Sequence, residues 1–146
     1  MRATVITDAS FCPRTKAAGW AAWIRIDGMD TPIKKYAEFK TPVRTAMQAE
    51  MLAAINGIWL AKQHGATTIL LQTDCLAVVH MVEGRTKKQH LKDGFTRAAA
   101  SAGILGLNYT ARHVRGHTDV ADARSYVNRW CDGRAKAAMR RQRVAA

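Results

Sequence analysis

The sequence predicts an α/β fold, a mixed five-stranded sheet flanked by helices. Three observations carry that prediction. Short strand-like runs open the chain, and the hairpin signal Asp27-Gly28 separates two of them. The apolar period then becomes helical across residues 45–63. From there strand-like and helix-like segments alternate, the pattern of crossover connections between parallel strands.

Each segment has its own reason. Residues 2–8 read as a buried strand, and residues 18–26 and 32–39 complete an antiparallel meander. In the helix over 45–63, Met47, Met51, Ala54, Ile55 and Ile58 share one face. Glu50 lies at the margin of that stripe, so it can point toward the sheet. Residues 67–73 form a fourth strand and residues 75–83 a short helix. Residues 84–101 mix Arg85, Lys87, Lys88, Lys92 and Arg97 with few apolar positions before an alanine run, and receive no element. Residues 106–114 alternate like a fifth strand, and a last helix runs from about residue 123 to 140. The expected order is β-β-β-α-β-α-β-α, with antiparallel strands first, in a single domain over residues 1–146.

Charge narrows the partner. The chain has 23 Lys and Arg against 11 Asp and Glu, a formal net charge of +12. Such a balance suits a polyanion, because phosphate binding runs on Lys and Arg. Cys12, Cys75 and Cys131 are odd in number and widely spaced, which excludes a disulfide framework and a zinc pattern. No apolar run is long enough to span a bilayer, and the chain enters its first strand without a signal-peptide core. The expectation is a reduced, cytoplasmic, monomeric protein with no membrane partner.

Against this basic background four acids stand out. Asp8 closes the run Ala3-Thr4-Val5-Ile6-Thr7, and Asp74 closes Thr68-Ile69-Leu70-Leu71-Gln72-Thr73. Glu50 sits inside the amphipathic helix, and Asp132 follows Trp130-Cys131. A carboxylate at the end of a buried strand costs free energy unless a cation meets it. If strands one and four are parallel neighbours, Asp8 and Asp74 meet at one sheet end, where α/β sites form. Four carboxylates converging from separate elements are what two magnesium ions need.

These residues resemble the type 1 ribonuclease H family of the ribonuclease H-like superfamily. The matching pieces are Thr7-Asp8-Ala9-Ser10, Thr45 with Ala49-Glu50-Met51-Leu52, Thr73-Asp74, Val114-Arg115-Gly116-His117 and Asn128-Arg129-Trp130-Cys131-Asp132, in order along nearly the whole chain. The resemblance implies that Asp8, Glu50, Asp74 and Asp132 are catalytic and hold two Mg²⁺ ions, with Mn²⁺ as an alternative. It implies that His117 is a mobile histidine assisting proton transfer or product release. Thr45 is implied to help grip a phosphate of the DNA strand, and Ser10 to contact substrate. The implied activity is endonucleolytic hydrolysis of the RNA strand of an RNA–DNA hybrid, leaving a 5′-phosphate and a 3′-hydroxyl. Two alternatives stay open: the same fold and metals acting on a junction or DNA, and a nucleic-acid-binding module without catalysis.

The chain also departs from that family. Ala9 stands where Gly is common after the first Asp, Ala46 and Met47 where an Asn pair is common, and Cys75-Leu76 where Ser-Gln is usual. The changes at Ala46, Met47 and Leu76 remove polar groups that would read a 2′-hydroxyl. Arg85, Lys87, Lys88 and Lys92 suit a hybrid-gripping surface or a solvated face equally. Arg140, Arg141 and Arg143 read as a solvated helix end, and the four tryptophans as core or its rim.

Overall fold

Residue parity in the first two strands decides which side of the sheet each helix covers. The computed structural model describes residues 1–114 and 123–145. In it β1 (Arg2–Phe11) and β2 (Ala18–Ile26) pair antiparallel. Val5, Ala22 and Ile24 belong to the larger core, whereas Ile6, Ala21 and Trp23 belong to a smaller one. Successive strand residues face opposite sides, so the two cores lie on opposite faces.

β3 (Ile33–Glu38) pairs antiparallel with β2, completing the meander. After α1 (Ala46–Gln63), β4 (Thr68–Thr73) returns parallel to β1. Two further helices, α2 (Leu76–Val82) and α3 (Gln89–Ala102), lead to β5 (Asn108–His113), parallel to β4. The last helix is α4 (Ala123–Ala145). The order across the sheet is β3-β2-β1-β4-β5, a mixed sheet as the sequence predicts. β1 is therefore central, antiparallel to one neighbour and parallel to the other. The larger core packs α1, α2 and α3 on one face. Val127, Cys131 and Ala135 of α4 pack on Ile6, Ala21 and Trp23 of the other.

One element differs from the sequence reading. The sequence pattern marks no helix over residues 84–101, yet α3 fills Gln89–Ala102, so two helices separate β4 from β5. Its buried stripe is Phe95 and Ala99, flanked by half-buried Leu91, Ala98 and Ala102. Alanine favours helix strongly but carries little hydrophobic signal. Gly103 ends the helix in the left-handed conformation, φ 72°. β1 also runs on to Phe11 and α4 to Ala145, past the expected bounds. Trp20 and Trp23 are buried and Trp59 lies 40% exposed at the rim. The cysteines are free, and no helix among the described residues is long and apolar enough to cross a membrane.

Two glycines set how closely helices approach the sheet. A Cβ on Gly57 of α1 would lie 2.6 Å from Thr7 Cγ2 and 2.7 Å from Val5 Cγ1. A Cβ on Gly19 of β2 would lie 2.5 Å from both the Ala135 carbonyl oxygen and the Met139 nitrogen of α4. Gln142 ties α4 to the sheet: its Oε1 accepts from the Ala18 N–H at 2.6 Å and its Nε2 donates to the Phe39 carbonyl at 3.2 Å.

Gly57→Ala should therefore destabilise the protein. Helix propensity favours alanine by about 1 kcal/mol, but overpacking a closed contact costs about 1–3 kcal/mol. Gly94→Ala in α3, where an added Cβ meets nothing within 4 Å, should stabilise by up to about 1 kcal/mol. Denaturant unfolding of both variants checks the contrast. A neutral or stabilising Gly57→Ala would show that α1 does not press on β1 as described.

Candidate metal centre

The central strand outruns one of its neighbours, and the site forms in the gap. β1 and β4 pair in register from Arg2↔Thr68 to Ile6↔Gln72. Continuing that offset places Asp8 level with Asp74, just beyond the paired stretch. β1 itself continues, with Asp8 opposite Ala21 and Phe11 opposite Ala18 of β2. Where β1 has lost β4, α1 brings Glu50 down from one face. One carboxylate oxygen each from Asp8, Glu50 and Asp74 lies within 4.8 Å of the others.

Local structure holds each group. Asp8 is buried, and its Oδ1 accepts from the Ala9 N–H at 2.9 Å. Thr73 Oγ1 accepts from the Cys75 N–H at 3.1 Å, shaping the turn that carries Asp74. His113 Nε2, at the end of β5, lies 3.1 Å from the Asp74 carbonyl oxygen. Thr45 is the N-cap of α1, and its hydroxyl accepts from the Gln48 N–H at 3.1 Å. Gln48 Oε1 accepts from the Arg44 N–H at 2.7 Å, so the first turn that presents Glu50 is pinned twice.

Electrostatics give the trio its character. Burial, then the charge of Asp74, raises the Asp8 carboxyl from 3.8 to about 7, partly offset by hydrogen bonds from Glu50 and Ala9. Burial, then the charges of Asp8 and Asp74, raises Glu50 from 4.5 to about 10. Glu50 Oε2 is buried with no hydrogen-bond partner. Among the described residues no lysine or arginine pairs with Asp8 or Glu50. Clustered carboxylates, one of them with an orphaned buried oxygen, fit a divalent cation that prefers hard oxygen donors. Neighbouring thiols are not ligands in waiting. Burial raises Cys75 and Cys131, and Cys131 Sγ lies 3.6 Å from the Ile6 carbonyl oxygen.

The other expected residues fall in different places. Asp132 on α4 adds to the negative charge felt by Asp8, yet its Oδ2 pairs with Lys136 Nζ at 3.0 Å, outside the trio. His117 lies outside the described residues. Ser10 is half-buried on β1, two residues beyond Asp8. Arg85, Lys87 and Lys88 line a cleft of about 380 Å³ with Met47, His80 and Leu91. Met47 stands one turn before Glu50, so this cationic cleft adjoins the carboxylates. Leu76 is 49% exposed at the start of α2, and Ala46 is exposed at the start of α1. Sequence reasoning missed His113 and Lys136. The i,i+4 spacing of Asp132 and Lys136 was the available signal.

The raised carboxyls predict an unusual pH dependence for the metal-free protein. A carboxyl whose folded value exceeds its unfolded one stabilises fully below the unfolded value and loses that contribution as pH rises through the folded one. For Asp8 that window runs from 3.8 to about 7, worth about 4 kcal/mol. In EDTA the unfolding midpoint should fall as pH rises from about 4 to about 7, and Asp8→Asn should flatten the fall. A midpoint equally pH-dependent in wild type and variant would remove Asp8 as its source.

Comparisons with known proteins agree with this picture. A family model described as reverse transcriptase-like matches residues 7–101, which hold Asp8, Glu50 and Asp74. The N-terminal RNase H domain of rv2228c from Mycobacterium tuberculosis superposes with a TM-score of 0.75 at 22% identity, covering 99% of each chain. RNase H1 from Halobacterium salinarum NRC-1 gives 0.72 at 20% identity, covering 95% of this chain and 98% of its own. LC11-RNase H1, solved in complex with RNA/DNA hybrid, gives 0.72 at 17% identity, covering 95% and 97%. No curated protein sequence matches. A carboxylate trio at the switch point of a β3-β2-β1-β4-β5 sheet, within the stretch that the family model covers, makes this chain a member of the reverse transcriptase-like family, in the ribonuclease H-like superfamily.

Proposed function

We propose that this protein is a divalent-metal-dependent endonuclease that hydrolyses the RNA strand of RNA–DNA hybrids. One observation carries the reading: three carboxylates that repel one another converge beside a cleft lined by Arg85, Lys87 and Lys88. A shared fold with an RNase H1 solved on RNA/DNA hybrid supports it. The working unit in this reading is a monomeric, cytoplasmic domain.

Asp8, Glu50 and Asp74 would hold the metal, with Asp132 joining them when it leaves Lys136. Two bound Mg²⁺ or Mn²⁺ ions would supply an activated water and stabilise the leaving 3′-oxygen. The chain's own residues do the rest. Two strands and a pinned helix turn hold the carboxylates in place, so little reorganisation is needed. Arg85, Lys87 and Lys88 bind the phosphate backbone beside the cleavage point, and Ser10 and Thr45 supply neutral polar contacts. His117 receives or delivers a proton at the reacting phosphate.

A second reading keeps the chemistry and changes the substrate to a DNA duplex or junction. Exposed Ala46 and Leu76 favour it, because neither can hydrogen-bond a 2′-hydroxyl. A labelled hybrid beside matched RNA, DNA and junction substrates, with Mg²⁺ and with EDTA, separates the readings. Asp8→Asn and Asp74→Asn should each lower turnover by at least about a hundredfold, a loss of about 3 kcal/mol of transition-state stabilisation. A variant keeping more than about a tenth of the wild-type rate contradicts the assignment.

A further inference from the structure

A second cationic surface lies on the flank of α4 turned away from the carboxylates. Asp132 and Arg134 are two residues apart and leave the helix on nearly opposite sides. On the Arg134 side, Trp130 stacks edge-on against Trp23 of β2 and Tyr36 of β3, with ring centroids 5.4 Å and 6.1 Å away. The Arg134 guanidinium stands 5.2 Å over Tyr36 and 5.8 Å from Trp130, and Arg141 stands 5.8 Å over Tyr36. Lys34 Nζ lies 4.5 Å over Trp23.

Burial of apolar rings explains the rings but not the charges. Among the described residues, ion pairs engage Arg2, Arg85 and Lys136, and none engages Lys34, Arg134 or Arg141. Two guanidinium groups converge on one tyrosine that is itself 38% exposed. Like charges gathered without a counter-charge suit an anion supplied from outside. Cations cover the ring faces and the ring contacts are edge-on, so the surface offers fixed positive charge rather than a base-stacking platform. Such a surface binds phosphodiester backbone without reading sequence or sugar.

Geometry selects the form of the strand. A backbone reaching this flank from the carboxylates must turn around α4. Duplex DNA has a persistence length of about 150 base pairs and resists that turn, whereas a single strand follows it easily. We propose that Lys34, Arg134 and Arg141 form a second backbone site, which holds a single-stranded overhang continuous with a duplex bound at the carboxylate cleft. The inference rests on the nucleic-acid reading of that cleft.

Binding in EDTA tests it without requiring cleavage. Affinities of wild type and of the Arg134→Gln/Arg141→Gln double variant are measured over a salt series. Three labelled probes are used: a blunt hybrid, the same hybrid with a single-stranded overhang, and the free single strand. In wild type the overhang should tighten binding and steepen the salt dependence. The double variant should lose that gain, its slope for the overhang hybrid falling by about 1.4, the counterion release of two phosphates on a single strand. Blunt-hybrid binding should not change. Arg134→Lys/Arg141→Lys, which keeps the charge, should retain most of the overhang gain, whereas a purely packing role would lose it. No overhang gain in wild type, an undiminished gain in the glutamine variant, or equal weakening of both hybrids overturns the proposal. So does a change in self-association with overhang binding intact. Should the free strand bind with the same arginine dependence while the blunt hybrid does not bind, the cleft reading fails and this site stands.

Discussion

Mutual repulsion among Asp8, Glu50 and Asp74 is the constraint on which the structure turns. Two unit charges about 4 Å apart at an effective dielectric near 20 repel by about 4 kcal/mol, a large part of the 5–15 kcal/mol by which domains are stable. The fold does not relax this strain. β1 is held between two strands, and Gly57 presses α1 onto Val5 and Thr7, about two turns beyond Glu50. Without metal a proton on Glu50 relieves the repulsion, and burial together with that repulsion raises the Glu50 carboxyl to about 10. With metal the same three groups would form a binding site.

In the proposed reading, the surroundings extend the logic from one cation to a polyanion. Negative charge buried beside phosphate would repel substrate, yet the chain carries a formal +12, and three of its cations line the cleft next to Met47. Asp132 and Lys136 add a choice. Paired, they neutralise each other at 3.0 Å; in the proposed reading, separating them would offer a fourth carboxylate to the trio and a lysine to the substrate. An exposed pair of this kind is worth about 1 kcal/mol or less, so substrate or metal can break it.

Much of this was legible in the sequence because buried strands end abruptly in acids. Asp8 and Asp74 each follow an apolar run, and equal offsets from the β1–β4 register bring them level. Glu50 was legible from its position at the edge of an apolar stripe. α3 was not, since its core-facing side sets three small alanines beside Leu91 and Phe95 and its charges mask the period. The close approach at Gly57 was invisible, because a helical glycine carries no sign of what it touches. Thr45 illustrates a different limit. The sequence marked it as a phosphate contact, whereas the structure gives its hydroxyl oxygen to the Gln48 N–H. That leaves its proton available to a phosphate. Arg141 read as a solvated helix end, and only the placement of Tyr36 beneath it reveals a shared surface.

Calorimetric titration of Mg²⁺ into the metal-free protein, repeated in buffers of different ionisation enthalpy near neutral pH, tests the central claim most directly. Metal can bind the trio only after Glu50, and part of the Asp8 population, give up their protons. The account predicts saturable binding with release of about one proton or more, falling sharply in Glu50→Gln. Binding with no proton release, or the same release in Glu50→Gln, would contradict a metal site built on carboxylates held protonated by burial and by their mutual repulsion.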